Sequence, residues 1–348
     1  MLGITRVGKF VEGSSFLNCR DRGWKGRVVG ALCLSCWQTR RGGQDKHKAP
    51  TQPLSHPLSL RKRGPFPTKP TCVGTTGKSK RFLAGLLFSS GIALLAYRSH
   101  SLNKSGAVGA IASGTTILGM GGWPWGLSLV YFFVSSSLLS HFRKRDKLRT
   151  AADKFSKGSQ RDLAQVVANG GGATLMALTY GLTHHHLLQA GFAGTLATAT
   201  ADTWATELGV LSPYQPRLIT TGERVPTGTS GGITLPGTTS AALGGLSLGL
   251  IFWAVGGFRK SLASLPLIAL VSGLAGSFFD SLLGATVQAM YYCPSCDKET
   301  ERRIHSCGTK TQPLRGISWI NNDMVNFLAT LFGGFMAMGL QRNTNRAR

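Results

Sequence analysis

The sequence predicts an all-α, polytopic transmembrane helical bundle of about six to eight spans, and three observations lead there. From Phe82 onward the chain is a series of apolar blocks separated by short polar loops. Those blocks approach the roughly 20 predominantly apolar residues that a helix needs to cross the hydrocarbon core. Glycine is abundant, 46 of 348 residues. Small-residue clusters such as Gly191-Phe-Ala-Gly-Thr195 and Ala241-Ala-Leu-Gly-Gly245 let helix backbones approach closely in lipid.

Before the first block, residues 1–81 carry 17 Lys or Arg against Glu12, Asp21 and Asp45, a net +14 of the chain's +25. This stretch is Arg-rich, acid-poor and without a sustained apolar run. It reads as a disordered basic leader, either a transit-like segment or a start-site extension. Cys33-Leu-Ser-Cys36 lies there without a second pair, so no metal role follows. A nucleic-acid partner is excluded because its footprint would gather cations on one folded face beside aromatic or Gly-rich motifs. Here the remaining charge sits in loops beside apolar blocks, as the positive-inside rule expects. The seven cysteines are odd in number and locally clustered, unlike a secreted disulfide framework.

The membrane domain covers 82–341, with candidate spans at 82–98, 106–122, 124–140, 163–183, 187–208, 238–257, 263–291 and 324–341. The first three are short enough to include a hairpin that does not fully cross. Segment 263–291 is long enough to tilt, kink at Gly273 or Gly276, or break. A Cys/His-containing loop fills 292–320, and 342–348 form a basic tail. Residues 141–161 hold Arg143, Lys144, Arg145, Lys147, Arg149, Lys154, Lys157 and Arg161 against Asp146 and Asp153. That loop belongs on the cytoplasmic or stromal side. Alternating spans put 209–237 and 292–323 on the same side. The same alternation puts the basic leader outside, a conflict unless an early segment does not cross or the leader is removed. The protein is therefore expected in the plasma membrane of a bacterium, or in a plastid membrane if the leader is a transit peptide.

This topology brings Asp202, Glu207, Asp280 and Asp323 to one side of the bilayer. Only 14 acidic residues occur in the chain. An ionisable side chain within the membrane costs roughly 3 kcal/mol on insertion scales, and it marks a functional site by default. In Asp202-Thr-Trp-Ala-Thr-Glu207, helical spacing puts Asp202 with Thr206 and Thr203 with Glu207 on neighbouring faces. Carboxylates flanked by hydroxyls suit Mg²⁺, so Asp202, Glu207 and Asp280 are candidate ligands. A solvated helix end is the bland alternative, and it fits Glu207 better than Asp202.

Around the acids lie candidate phosphate-binding groups. Gly222-Glu-Arg-Val-Pro-Thr-Gly-Thr-Ser-Gly-Gly-Ile-Thr234 lacks the Gly-Lys-Ser/Thr of a Walker loop. Its Thr229, Ser230, Gly231 and Gly232 could still present backbone N–H groups as an anion nest, with Arg224 adding charge. Lys157, Arg161, Gln165 and Asn169 recur every four residues, a polar stripe on one helix with a cationic end suited to phosphate. Asp280, Gly284 and Gln288 form a second stripe, and Asn322 and Asn326 share a face at the start of the last helix. Cys293-Pro-Ser-Cys296 followed by His305-Ser-Cys307 has the ligand types and number of a structural Zn²⁺ site, with a metal-free thiol cluster as the alternative.

Ala201-Asp-Thr-Trp-Ala-Thr-Glu-Leu-Gly209, Gly228-Thr-Ser-Gly-Gly-Ile-Thr234, Gly276-Ser-Phe-Phe-Asp-Ser-Leu-Leu-Gly-Ala-Thr-Val-Gln288 and Trp319-Ile-Asn-Asn-Asp-Met-Val-Asn326 together resemble an integral membrane family. It is the family that includes phytyl-phosphate kinase of the vitamin E pathway and animal transmembrane protein 19, long catalogued as a domain of unknown function. The resemblance covers roughly residues 82–341. It implies a prenyl-phosphate kinase, with a prenyl monophosphate and a nucleoside triphosphate as partners beside the bilayer and Mg²⁺ as cofactor. Asp202, Glu207, Asp280 and Asp323 would then bind metal or orient the nucleophilic phosphate. Lys157, Arg161, Asn169, Arg224, the 229–232 backbone, Gln288, Asn322 and Asn326 would hold phosphates. An ion-coupled transporter is the competing expectation, since acids and broken Gly-rich helices also build transport sites. A membrane protein without enzymatic activity is the third.

Overall fold

The computed structural model describes residues 75–143, 145–147 and 160–346. Eight long helices follow one another: α1 (Thr75–Arg98), α2 (Lys104–Gly121), α3 (Trp123–His141), α4 (Leu163–Thr183), α5 (Leu187–Gly209), α6 (Leu235–Val255), α7 (Leu265–Thr286) and α8 (Asn322–Arg346). Each matches one predicted apolar block. The edges differ where local chemistry sets them. Helix α1 begins at Thr75, so the last seven residues of the expected leader, 75–81, are helical; the rest of it, with its four cysteines, lies outside the described residues. Helix α8 runs on to Arg346, which absorbs most of the expected basic tail.

Two other edges correct the sequence reading. The predicted stripe from Lys157 to Asn169 is not one helix. Asp162 caps α4: its side chain accepts from the Gln165 N–H at 2.9 Å, and Gln165 Oε1 accepts from the Asp162 N–H at 3.1 Å. This reciprocal pair is a capping box, and it ends the extended chain one residue after Arg161. Lys157 lies outside the described residues. Segment 263–291 is not one helix throughout, because α7 stops at Thr286 and the chain turns into a strand at Met290.

Helix α5 is the centre of the bundle and packs against α3, α4, α6, α7 and α8. Its small residues permit that. A Cβ on Gly194 would come 2.6 Å from the Gly333 carbonyl oxygen of α8, and one on Gly273 of α7 would come 3.0 Å from the Ala197 carbonyl oxygen. Contacts of this kind are how helices associate where lipid supplies no hydrophobic drive. Phe192, Leu196, Phe252 and Trp125 fill the core at one end of α5. Leu83, Leu87, Leu94 and Leu95 of α1 are more than half exposed, an apolar surface suited to lipid.

Among the described residues, four helical stretches are long and apolar enough to cross a membrane: Ser79–Arg98, Leu235–Val255, Lys260–Thr286 and Asn322–Arg346. The expected six to eight spans also counted α2 to α5. Those four have the length, but Gly, Ser, Thr, Gln and Asn dilute their apolar character. Helix α5 is surrounded by protein, so its wall of Thr195, Thr198 and Thr200 is buried among neighbouring helices.

Short strands decorate one end. β1 (Arg217–Leu218) and β2 (Gly232–Ile233) pair antiparallel inside the α5–α6 loop. Between α7 and α8, β3 (Met290–Cys293), β4 (Lys298–Thr300) and β5 (Gln312–Arg315) form an antiparallel sheet in the order β4-β3-β5.

Candidate functional site

The helices deliver their ends to one polar cavity of about 300 Å³. Ser140 comes from the end of α3, Gln165 and Asn169 from the start of α4, and Asp202, Thr203, Thr206 and Glu207 from the end of α5. Helix α6 brings Thr238 from its start, α7 brings Ser277, Asp280 and Ser281 from its end, and α8 brings Asn322 and Asn326. The three loops expected on one side of the membrane thus meet at one site.

Asp202 and Asp280 form its acidic floor. Ser277 donates to Asp202 Oδ1 at 3.3 Å. Asp280 interacts electrostatically with both Asp202 and Glu301, and its Oδ2 is buried with no hydrogen-bond partner among the described residues. Buried carboxylates that share a site repel one another, and an unpartnered buried oxygen is costly. A divalent cation between hard oxygen ligands would answer both problems, so these residues fit Mg²⁺.

Glu207 stands in a different setting at the rim. Lys147 Nζ meets its Oε2 at 2.6 Å and Ser140 donates to its Oε1 at 2.5 Å. One oxygen therefore ties the basic loop to α5, and the other ties the end of α3 to it. Asp323 occupies the first turn of α8, where a carboxylate favours the helix dipole, but it is not among the residues lining the cavity. The fourth acid in the cavity wall is Glu301 instead, carried in just after β4.

Glu301 escapes a reading by helical periodicity because it arrives from a sheet. Gln288 links it to the Gly-rich loop: Gln288 Nε2 donates to Glu301 Oε1 at 2.9 Å, and Ser230 donates to Gln288 Oε1 at 2.8 Å. Gln288 is thus a buried strut behind the cavity rather than part of its lining. Thr227 to Thr234 line the cavity, and Gly231 adopts φ +83° where a Cβ would come 2.5 Å from the Ala285 Cβ. Thr229 and Gly232 use their N–H groups within the loop, on the Pro226 and Thr229 carbonyls, which narrows the expected anion nest by two donors. Arg224 is exposed beside β1, outside the cavity.

Among the described residues, Arg161 is the cation that reaches the cavity wall. Its backbone pairs with the 101–103 segment, donating to the Ser101 carbonyl at 3.0 Å and accepting from the Asn103 N–H at 3.1 Å. Its guanidinium lies 5.9 Å and 5.6 Å from the Phe132 and Phe133 ring centroids. Burial lowers its pKa and the Glu207 charge raises it, yet an arginine stays protonated throughout. Arg161, Gln165 and Asn169 also line a second, apolar cavity of about 80 Å³ walled by Phe88, Ile92, Leu118, Leu129 and Phe133. The two cavities share those three residues as a common wall.

Cys293, Cys296, His305 and Cys307 also come together, with ligand atoms within 4.8 Å of one another.

The model of the integral membrane protein family DUF92 matches residues 87–334. The chain belongs to this family. Its members among curated proteins include Protein PGR of Arabidopsis thaliana, 34% identical over 284 residues that cover 75% of this chain and 96% of that protein. An uncharacterized membrane protein of Methanocaldococcus jannaschii is 30% identical over 258 residues, 74% of this chain and 93% of its own. Protein VTE6, chloroplastic, of Arabidopsis thaliana is 24% identical over 261 residues, 74% of this chain and 69% of its own. No solved structure matches the chain. The protein is therefore an integral membrane protein, as its apolar helices indicate.

Proposed function

We propose that the protein is a prenyl-phosphate kinase that transfers a phosphoryl group from a nucleoside triphosphate to a prenyl monophosphate. The observation that carries this reading is the common wall of the two cavities. A polar chamber with buried carboxylates adjoins an apolar one, and the groups between them are a guanidinium and two amides. An amphiphile with an anionic head and an apolar tail matches that arrangement. The apolar cavity takes the first part of the tail, and the rest continues among α1 to α4.

Arg161 would hold the monophosphate at the junction, where its planar fork suits paired phosphate oxygens. Asn169 and Gln165 flank it. Asp202, Asp280 and Glu301 would hold Mg²⁺, which supplies neutralisation of the phosphate charges when bound. Ser230, Asn322 and Asn326 also line the polar cavity and would orient the triphosphate. A monophosphate oxygen attacks the γ-phosphorus, its bond to the nucleoside diphosphate oxygen breaks, and that oxygen leaves with the electron pair. No covalent intermediate is needed. The protein supplies position and charge, which carry most of the catalysis in phosphoryl transfer. The family resemblance of the four quoted segments supports the same assignment.

The test is turnover. Purified protein in detergent would be given phytyl or geranylgeranyl monophosphate, Mg²⁺ and, in turn, CTP, ATP, GTP and UTP. Prenyl diphosphate should form with at least one donor and be lost in Asp202→Asn and Asp280→Asn. No turnover with any donor, together with substrate flux in proteoliposomes, would replace the kinase with a transporter.

A further inference from the structure

We propose that Cys293, Cys296, His305 and Cys307 bind a structural zinc ion, and that this ion holds Glu301 and Gln288 at the wall of the polar cavity. The binding itself does not depend on the kinase reading.

The geometry of the four side chains is the first argument. Cys293 Sγ and Cys307 Sγ stand 3.7 Å apart, and His305 Nδ1 is 3.2 Å from Cys307 Sγ. Zn–S bonds of about 2.3 Å in a tetrahedron set their sulfurs about 3.8 Å apart, whereas a disulfide needs about 2.05 Å. All three cysteines are free thiols. His305 is buried, and its Nε2 has no hydrogen-bond partner among the described residues. The ring's orientation is therefore set from the Nδ1 side, which faces the thiols.

The backbone is the second. Each ligand pair sits in a tight turn that closes with a left-handed residue directly after its second ligand: Asp297 at φ 51° after Cys296, and Gly308 at φ 85° after Cys307. The two turns bring their ligand atoms within 4.8 Å of one another. Asp297 is an Asx residue and Gly308 a glycine, the types that tolerate this conformation.

The segment also lacks an apolar core of its own. From Met290 to Arg315 the buried apolar side chains are Met290 and Cys293 alone. A sheet this small cannot be held by so thin a core, and such units ordinarily need a metal or disulfides. Yet the unit must be rigid, because it serves the cavity. Arg315 donates to the Gly284 and Ala285 carbonyls at the end of α7, at 3.0 and 2.7 Å, and the Ala289 N–H donates to the Ile320 carbonyl at 2.8 Å. Between the two ligand pairs, β4 ends and places Glu301 against Gln288. The ion thus sits at the far end of the lever that sets an acid in the site.

Metal analysis of the purified full-length protein in detergent tests this directly. About one zinc per chain is expected, falling to a tenth or less in Cys293→Ser/Cys296→Ser. Should that variant fail to fold, the wild type decides: after chelation, added Co²⁺ should give the intense visible bands of tetrahedral thiolate coordination. Hydrogen exchange in 290–315 should also rise on chelation, and Glu301→Gln should keep its zinc. Metal-free wild type in which all seven cysteines react with Ellman's reagent before any chelator is added would overturn the proposal, and so would a Cys293–Cys307 disulfide.

Discussion

Replacing Arg161 with Met asks whether the junction between the cavities holds a phosphate. The substitution removes the charge and spares the fold, for reasons visible around the residue. Its two backbone hydrogen bonds, to Ser101 and from Asn103, do not involve the side chain. The methionine would still lie on Phe132 and Phe133, where the guanidinium lies now. Glu207 keeps its ion pair with Lys147. What is lost is one charge-assisted interaction with the bound phosphate, roughly 1.5–3 kcal/mol. At 1.4 kcal/mol per decade, affinity for the prenyl monophosphate falls about 10- to 150-fold. Arg161→Lys keeps the charge but not the planar fork or the stacking, so it should fall between the two. Titration of prenyl monophosphate into detergent-solubilised protein measures this. Affinity of folded Arg161→Met within twofold of the wild type would refute the role given to Arg161.

Three further outcomes follow from the packing and the charges. Asp280→Asn should abolish turnover while leaving the thermal transition unchanged or higher, because it removes one of three mutually repelling acids; a large fall in melting temperature would contradict this. Lys147→Ala should destabilise by roughly 3 kcal/mol, the low end for a broken buried pair, since the two side chains are only 11% and 22% exposed. Lys147→Met combined with Glu207→Gln should recover most of that loss in the same melting assay. Gly194→Ala forces a methyl group toward the Gly333 carbonyl and should lower the melting temperature, at a cost of roughly 1–3 kcal/mol.

What could be read from the sequence was whatever repeats locally. Each of the eight helices announced itself as an apolar block, and the charged 141–161 loop oriented them so that Asp202, Glu207 and Asp280 fell at one end. Edges were harder, because caps override hydropathy. Asp162 and Gln165 begin α4 past Arg161, although their capping-box spacing was present to be seen. Composition leaves the number of spans open, since a helix surrounded by other helices, as α5 is, needs little apolar surface of its own. Asp323 was placed with the other acids by topology alone, but it follows Asn322, which lines the cavity, and the next residue along a helix points about 100° away. Glu301 was out of reach because its position depends on a sheet held by residues distant in the chain. Only its place between two pairs of candidate metal-ligand residues hinted at it.

Transfer of a labelled γ-phosphoryl group tests the central claim most directly. Wild-type protein in detergent, with geranylgeranyl monophosphate, Mg²⁺ and γ-³²P-labelled nucleoside triphosphate, should place the label in the terminal phosphate of a prenyl diphosphate. Label that stays in every nucleotide tried, or appears only as inorganic phosphate, would contradict the account.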